Sequence, residues 1–314
     1  WLLARIRVWL AGRAEPQDYG LPLALAWGDD SDEKLRPLWP YALAKVRVRA
    51  RMGLLYGAFA DERFCQYLVG MMARGARLPL GRGWLQFSAT RVFAALAGDA
   101  PESLPAKRLA LDSSNTTITF GDRLLMKAYR RLQPGINPEL EMGRFLTEIA
   151  FPNIAPLAGA LEYEGEEGDR TTLLLLQGFV PNQGDAWSFT LDYLKRFLTD
   201  CVEQPDGVRK AGGNVHAVYL LFAGTLGRRT GELHRALAQT TGDPAFDPEP
   251  ITAGDWANWL ERIRIEVNAT FARLEPARFK LPEPARFLAE RVLESRGAVA
   301  ARLASVEPLA SPAM

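Results

Sequence analysis

Lys127 lies in the run Leu124-Leu125-Met126-Lys127-Ala128-Tyr129, a strand-like segment with apolar residues on either side of the lysine. A lysine fixed on a strand can reach the oxygens of a polyphosphate, and a carboxylate on a following helix can hold that lysine in place. Glu141 is the expected carboxylate, because it follows on a segment that reads as a helix. Just upstream, Ser113-Ser114-Asn115-Thr116-Thr117 reads as a turn between two strand-like runs. It contains no glycine, so it is neither a Walker loop nor a G-x-G-x-x-G loop. Backbone N–H groups in a tight turn can still cradle phosphate, and Ser and Thr hydroxyls add donors. Downstream, Leu173-Leu174-Leu175-Leu176 reads as a buried central strand that runs into Gln177-Gly178-Phe179-Val180-Pro181. The backbone of Gln177, Phe179 and Val180 could pair with the edge of a purine. Read singly, each of these features has an ordinary alternative: a surface lysine, a solvated helix glutamate, a hairpin loop, a core strand. Their order along the chain favours a joint role.

Other reactive residue types carry less. His216 and His234 are the only histidines, neither has a second ligand at metal spacing, and both read as structural. Asp185 reads as a cap or turn residue and Trp187 as a packing residue. Trp256 and Trp259 could stack on a sugar, but their helical spacing favours core packing. No metal site is expected within the chain.

The elements that would position these residues follow from periodicity. Arg5-Ile6-Arg7-Val8 and Lys45-Val46-Arg47-Val48-Arg49 alternate as half-buried strands do. Leu21–Trp27 is a third strand, closed by Gly28-Asp29-Asp30, and its Pro22 predicts an edge position or a strand start. Asp61 predicts the N-cap of a helix bearing Phe64, Leu68, Met71 and Met72, with Gly75 as its stop. Gly98 to Pro105 reads as a linker. Asn137-Pro138-Glu139 is a strong helix start, with Leu140, Phe145, Leu146 and Ile149 on the buried side. Beyond Pro181 the pattern is helical. Stripes run through Tyr193, Leu194, Phe197, Leu198 and Cys201, through Tyr219 to Leu237, through Trp256 to Phe271, and from Phe287 through Val292 to Leu303. The tail Leu309–Met314 reads as a ragged end.

Composition sets outer bounds. The 314 residues suffice for two or three packed units, and 38 basic against 37 acidic residues argues against a dedicated nucleic-acid binder. Two cysteines, Cys65 and Cys201, fit a reducing, cytoplasmic setting rather than a disulfide framework. Every apolar run breaks short of a membrane span, and the opening Trp1-Leu2-Leu3 has neither an initiator Met nor a signal-peptide layout, so the chain reads as starting inside a longer frame.

In order, turn, lysine strand, helix carboxylate and buried strand are the parts of a kinase small lobe, and the sequence resembles the bacterial maltokinases, including those fused behind trehalose synthase. The resemblance rests on LPLALAW (21–27), SNTTITFGDRLLMKAYRRLQPGINPELEMGRFLTE (114–148), PLAGALEY (156–163), LLLLQGFVPNQGDAWSFTLDYLKRFL (173–198) and LGRRTGELHRAL (226–237). The strings RRLQPGINPELE and FVPNQGDAW are its most specific parts. The resemblance implies an α+β, protein-kinase-like (aminoglycoside-phosphotransferase-like) two-lobe fold with a β-rich N-terminal cap. Residues 1–106 would be the cap, 107–181 the small lobe with its nucleotide-binding elements, and 182–314 part of a helical large lobe. It implies ATP-dependent phosphorylation of maltose to maltose 1-phosphate in glycogen synthesis. Lys127 would be the phosphate lysine and Glu141 its partner. Ser114, Asn115, Thr116 and Thr117 would form the phosphate loop, and Gln177, Phe179 and Val180 the adenine contacts. ATP and Mg²⁺ are the implied cofactors, maltose or a related sugar and trehalose synthase the implied partners.

The sequence also departs from that family. Gly178 stands where the family usually has an acidic residue, a change expected to matter little because adenine contacts there are made by backbone. The H-G-D catalytic loop and the D-F-E metal motif do not occur in these 314 residues. The expectation is therefore a chain that is not a competent kinase by itself, with its Mg²⁺ ligands further on. Two other readings stay open: an aminoglycoside- or choline-kinase-like enzyme acting on another small alcohol, and a non-catalytic module associated with trehalose synthase.

Overall fold

The structure is a computed structural model that describes residues 1–12, 15–28, 33–109, 114–203 and 215–306. Asp29, Asp30, Ser113 and the tail Leu309–Met314, all invoked above, lie outside the described residues. The chain divides into two compact units, Trp1–Ala236 and the residues from Leu237 onward.

The first unit is built on two antiparallel sheets. One contains β1 (Leu2–Val8), β2 (Gln17–Trp27), β4 (Arg51–Gly57) and β3 (Ala42–Val48), in that order, and β10 (Arg131–Leu132) joins it alongside β2. Pro22 therefore sits on an interior strand, not at an edge as its ring predicts. The ladder explains why it is tolerated. The Gly20 N–H donates to the Arg130 carbonyl on the β10 side. Pro22, two residues on, aims its missing donor to the same side, in the gap before pairing with β4 begins at Leu23.

The second sheet has seven strands in the order β5 (Arg77–Leu80), β6 (Gly83–Ala89), β11 (Leu157–Glu164), β12 (Arg170–Gly178), β9 (Leu124–Tyr129), β8 (Asn115–Phe120) and β7 (Ala106–Leu109). β5 and β6 precede residue 107, yet β6 pairs with β11 and β5 with β6, so the segments before and after residue 107 share one continuous sheet. The expected linker is also pinned. Ala106 N donates to Glu62, Gln66 donates to the Leu104 carbonyl, and Pro101 is buried.

Strand alternation gives this sheet two unlike faces. Phe87, Ile118, Met126, Ala128, Leu161, Leu174 and Leu176 point into one core with α1 (Glu62–Ala73) and α2 (Phe93–Ala97). Asp61 caps α1 as expected, accepting from Arg63 N, and Gly75 ends it at φ +57°. The opposite face carries Ala160 and Leu175 against Leu140 of α3 (Pro138–Glu148).

α4 (Ala186–Glu203) and α5 (Ala217–Leu237) complete this unit. Their expected buried stripes are largely open: no residue of α4 is buried, and Trp187 is 72% exposed rather than packed. The two helices meet through an aromatic stack instead. Tyr193 lies 4.5 Å from Tyr219, centroid to centroid, and its hydroxyl bonds His216 Nδ1.

The second unit holds α6 (Ala253–Ala277), α7 (Glu283–Glu294) and α8 (Arg296–Val306). Thr252 and Asp255 form a reciprocal capping box at the start of α6. The stripe from Phe287 to Leu303 is two helices, broken at Ser295. Trp259 is 47% exposed, so the expected core role does not hold for it; Trp256 donates to the Val306 carbonyl. Among the described residues no helix is long and apolar enough to cross a membrane.

Cys65 sits in the first core, and burial pushes its thiol up to about 12. The folded state favours the neutral thiol. That contribution is fully present below the ordinary thiol range and is lost as pH rises from there towards 12. At pH 8 a disulfide reagent is expected to modify half-buried Cys201 and to reach Cys65 only after denaturation. Two fast thiols in the native chain would contradict this packing.

Candidate functional site

Lys127 and Tyr129 are two residues apart on β9 and so share a face, the one covered by α3. Lys127 Nζ lies 2.5 Å from Glu139 Oε2, and the Tyr129 hydroxyl donates to the same oxygen at 2.7 Å. The carboxylate that holds the lysine is thus Glu139, not the expected Glu141. The reason is angular. Successive helix residues turn by about 100°, so Glu139 and Glu141 project to opposite sides of Leu140. Leu140 is buried against Leu157, Ala160 and Leu175, and the lysine lies on the Glu139 side. Burial, and then the hydrogen bond to Glu139, raise the Tyr129 phenol above the ordinary tyrosine range.

α3 is fixed at both ends. Asn137 Oδ1 accepts from Glu139 N at 2.9 Å and Leu140 N at 3.1 Å, with Pro138 at the first helical position. The loop before it is tied to β12 through Gly135 N and the Arg170 carbonyl. At the other end Arg91 donates to the Thr147 and Glu148 carbonyls, each at 2.9 Å, placing a cation at the negative helix terminus. The Thr147 hydroxyl bridges the Gly143 carbonyl and Leu157 N, joining α3 to β11.

The expected phosphate turn is only partly a turn. Ser114 is exposed and precedes β8, whereas Asn115, Thr116 and Thr117 lie in β8, register-paired with Tyr129, Ala128 and Lys127. Thr117 therefore shares the lysine's face. Thr116 is 6% exposed and points to the opposite face, away from Lys127. The Arg130 Nε donates to the Ser114 carbonyl at 2.8 Å, just ahead of β8.

At the far end of the sheet, Gln177 is register-paired on both sides, with Leu125 and Leu157, so its backbone belongs to the ladder rather than to a ligand. Gly178 N donates to the Pro156 carbonyl and Phe179 N to the Arg123 carbonyl. Among the described residues the Val180 N–H takes no backbone partner. Arg123 also donates to the Leu96 and Ala95 carbonyls, so α2 helps to set the height of this segment. A Cβ added at Gly178 would meet Pro156 and Leu96 at 3.2–3.3 Å, so an acidic residue there would require those neighbours to give.

An apolar cavity of about 460 Å³ lies between the two sheets, lined by Leu3, Pro22, Phe64, Phe87 and Leu174 among others. It borders the Ala128 face and is not the lysine site. His216 and His234 both fall on or beside α5, and Asp185 caps α4, accepting from the Ser188 N–H and hydroxyl. Among the described residues no cluster of His, Cys, Asp or Glu could hold a metal.

No protein-family profile matches the sequence. Among solved structures, the chain is similar to glucosamine kinase. A structure described as glucosamine kinase in complex with glucosamine, ADP and inorganic phosphate matches with a TM-score of 0.56 at 20% identity, covering 99% of this chain and 60% of that one. Crystal form A of glucosamine kinase gives 0.53 at 20% identity, covering 98% and 59%, and form B gives 0.50 at 19%, covering 90% and 59%. The likeness establishes the fold: a kinase-like α+β architecture with antiparallel sheets. The chain spans about 60% of the length of the glucosamine kinases it matches.

The Asn137 cap is predicted to matter for α3. Asn137→Ala should lower stability by about 1 kcal/mol in urea denaturation. An unchanged midpoint would mean that the cap does not hold the helix start.

Proposed function

We propose that this chain carries the nucleotide-holding part of an ATP-dependent sugar phosphotransferase and that its sugar is maltose, converted to maltose 1-phosphate. The observation that carries the reading is the ion pair between Lys127 on β9 and Glu139 on α3, set on the inner face of an antiparallel kinase-like sheet. Phosphoryl transfer depends chiefly on positioning and charge neutralisation. In this reading Lys127 meets the α and β phosphates, and Glu139 holds the lysine against the strand. Ser114, Asn115 and Thr117 border the phosphate turn, and the Phe179 carbonyl and Val180 N–H face adenine. Residues 1–106 serve as the cap, 107–181 as the nucleotide-side lobe and 182–314 as part of a helical lobe. The choice of maltose rests on the RRLQPGINPELE and FVPNQGDAW strings. A fused or associated trehalose synthase, and a place in α-glucan synthesis, rest on the same resemblance.

Calorimetric titration with ADP tests the nucleotide assignment. Lys127→Met and Glu139→Gln should each weaken ADP binding by about tenfold, the size expected for losing one charge-assisted contact. Glu141→Gln should change it less than about twofold, a difference of under ~0.5 kcal/mol. Equal binding by the wild type and Lys127→Met would overturn the assignment.

The sugar is tested with the full gene product that carries this chain, by ADP release with maltose, glucosamine or no sugar. Release that depends on maltose supports the proposal. Release that depends on glucosamine alone would replace maltose with an amino sugar.

A further inference from the structure

We infer that Tyr129 is a positioning residue for the phosphate-facing lysine: its phenol clamps the Glu139 carboxylate and the start of α3 to strand β9, so that Lys127 is presented in one orientation before a nucleotide arrives. The inference rests on the proposed role of Lys127.

The geometry puts Tyr129 against both members of the ion pair. Its hydroxyl donates to Glu139 Oε2, the same atom that accepts from Lys127 Nζ. Glu139 itself lies in the first turn of α3, where Asn137 Oδ1 accepts from its N–H. The lysine ammonium lies 5.5 Å from the Tyr129 ring centroid, within cation–π range. One residue on β9 therefore touches both the lysine and its carboxylate.

The pair needs such a third member. The Lys127 and Glu139 side chains are 29% and 38% exposed, and a two-member ion pair at that exposure gains little because both long side chains must be ordered. A tyrosine has two side-chain torsions and is itself partly buried, so it orders the carboxylate at low entropic cost. It is also neutral. A second cation at this position would compete with Lys127 for the carboxylate and add a rival phosphate contact, whereas a phenol holds Glu139 without doing either. When Lys127 leans towards a phosphate, Glu139 keeps the phenol as its partner and stays in place.

Two measurements test this. In nucleotide-free protein, the two Hε protons of Lys127, assigned by their loss in Lys127→Met, should have separate NMR shifts because the chain is fixed. They should collapse towards one averaged shift in Tyr129→Phe. In ADP titrations Tyr129→Phe should weaken binding by about three- to tenfold, the range for the net loss of one ordinary hydrogen bond. The same change made in Glu139→Gln should alter binding less than about twofold, because the phenol acts through that carboxylate. Thermal melts of all variants check folding. Unchanged Hε shifts in Tyr129→Phe, or equal effects in both backgrounds, would overturn the inference. If Lys127→Met binds ADP like the wild type while the Hε shifts still collapse in Tyr129→Phe, the clamp stands and the nucleotide reading falls.

Discussion

A single carboxylate oxygen, Glu139 Oε2, takes both the Lys127 ammonium and the Tyr129 phenol. Because Lys127 and Tyr129 belong to β9 and Glu139 to the first turn of α3, this atom sets how the helix meets the sheet. Every other fixture of α3 serves that contact. Asn137 fixes where the helix starts, Leu140 seats it on the sheet, and Arg91 with Thr147 locks its far end. A helix free to rotate by one residue would carry Glu139 about 100° away and bring no other carboxylate to the lysine.

The sheet turns this local geometry into a division of labour. Alternation places Lys127, Thr117 and Leu175 on one face and Met126, Ala128 and Leu174 on the other. The second face is committed to packing under α1 and α2, where Ile118, Phe120, Leu124 and Met126 are fully buried. The N-terminal segment, residues 1–106, thereby supports the site without lining it. It contributes two outer strands to the same sheet, caps the far end of α3 through Arg91, and reaches the segment after β12 through the Arg123 contacts to α2. A segment so integrated buttresses the sheet that carries Lys127.

Much of this was legible in the sequence where local rules decide. The Asn137-Pro138 start, the Asp61 cap, the Gly75 stop and the strand bearing Lys127 all follow from capping chemistry and alternation, and the kinase-like fold followed from their order. What was not legible depended on tertiary direction. Glu139 and Glu141 are equally good helix carboxylates in sequence, and only the seating of Leu140 tells which one faces the strand. Asn115–Thr117 looked like turn residues because Ser, Asn and Thr favour turns, but β-branched threonines also suit a strand, and pairing with β9 claimed them. Pro22 read as an edge marker because the gap between β4 and β10 is a property of the assembled sheet. The apolar stripes of α4 and the pair Trp256/Trp259 read as core, yet α4 contributes no buried side chain and Trp259 stays half exposed. Periodicity marks a face that can be covered, without naming what covers it.

The central claim is that Lys127, held by Glu139, faces nucleotide phosphate. A crystal structure of the chain soaked with ADP tests it most directly. Phosphate oxygens should lie about 3 Å from Lys127 Nζ, hydrogen-bond distance, with Glu139 still bonded to Tyr129 and adenine against the backbone of Phe179 and Val180. Nucleotide bound elsewhere, such as in the apolar cavity between the sheets, or no bound nucleotide at saturating ADP, would contradict it.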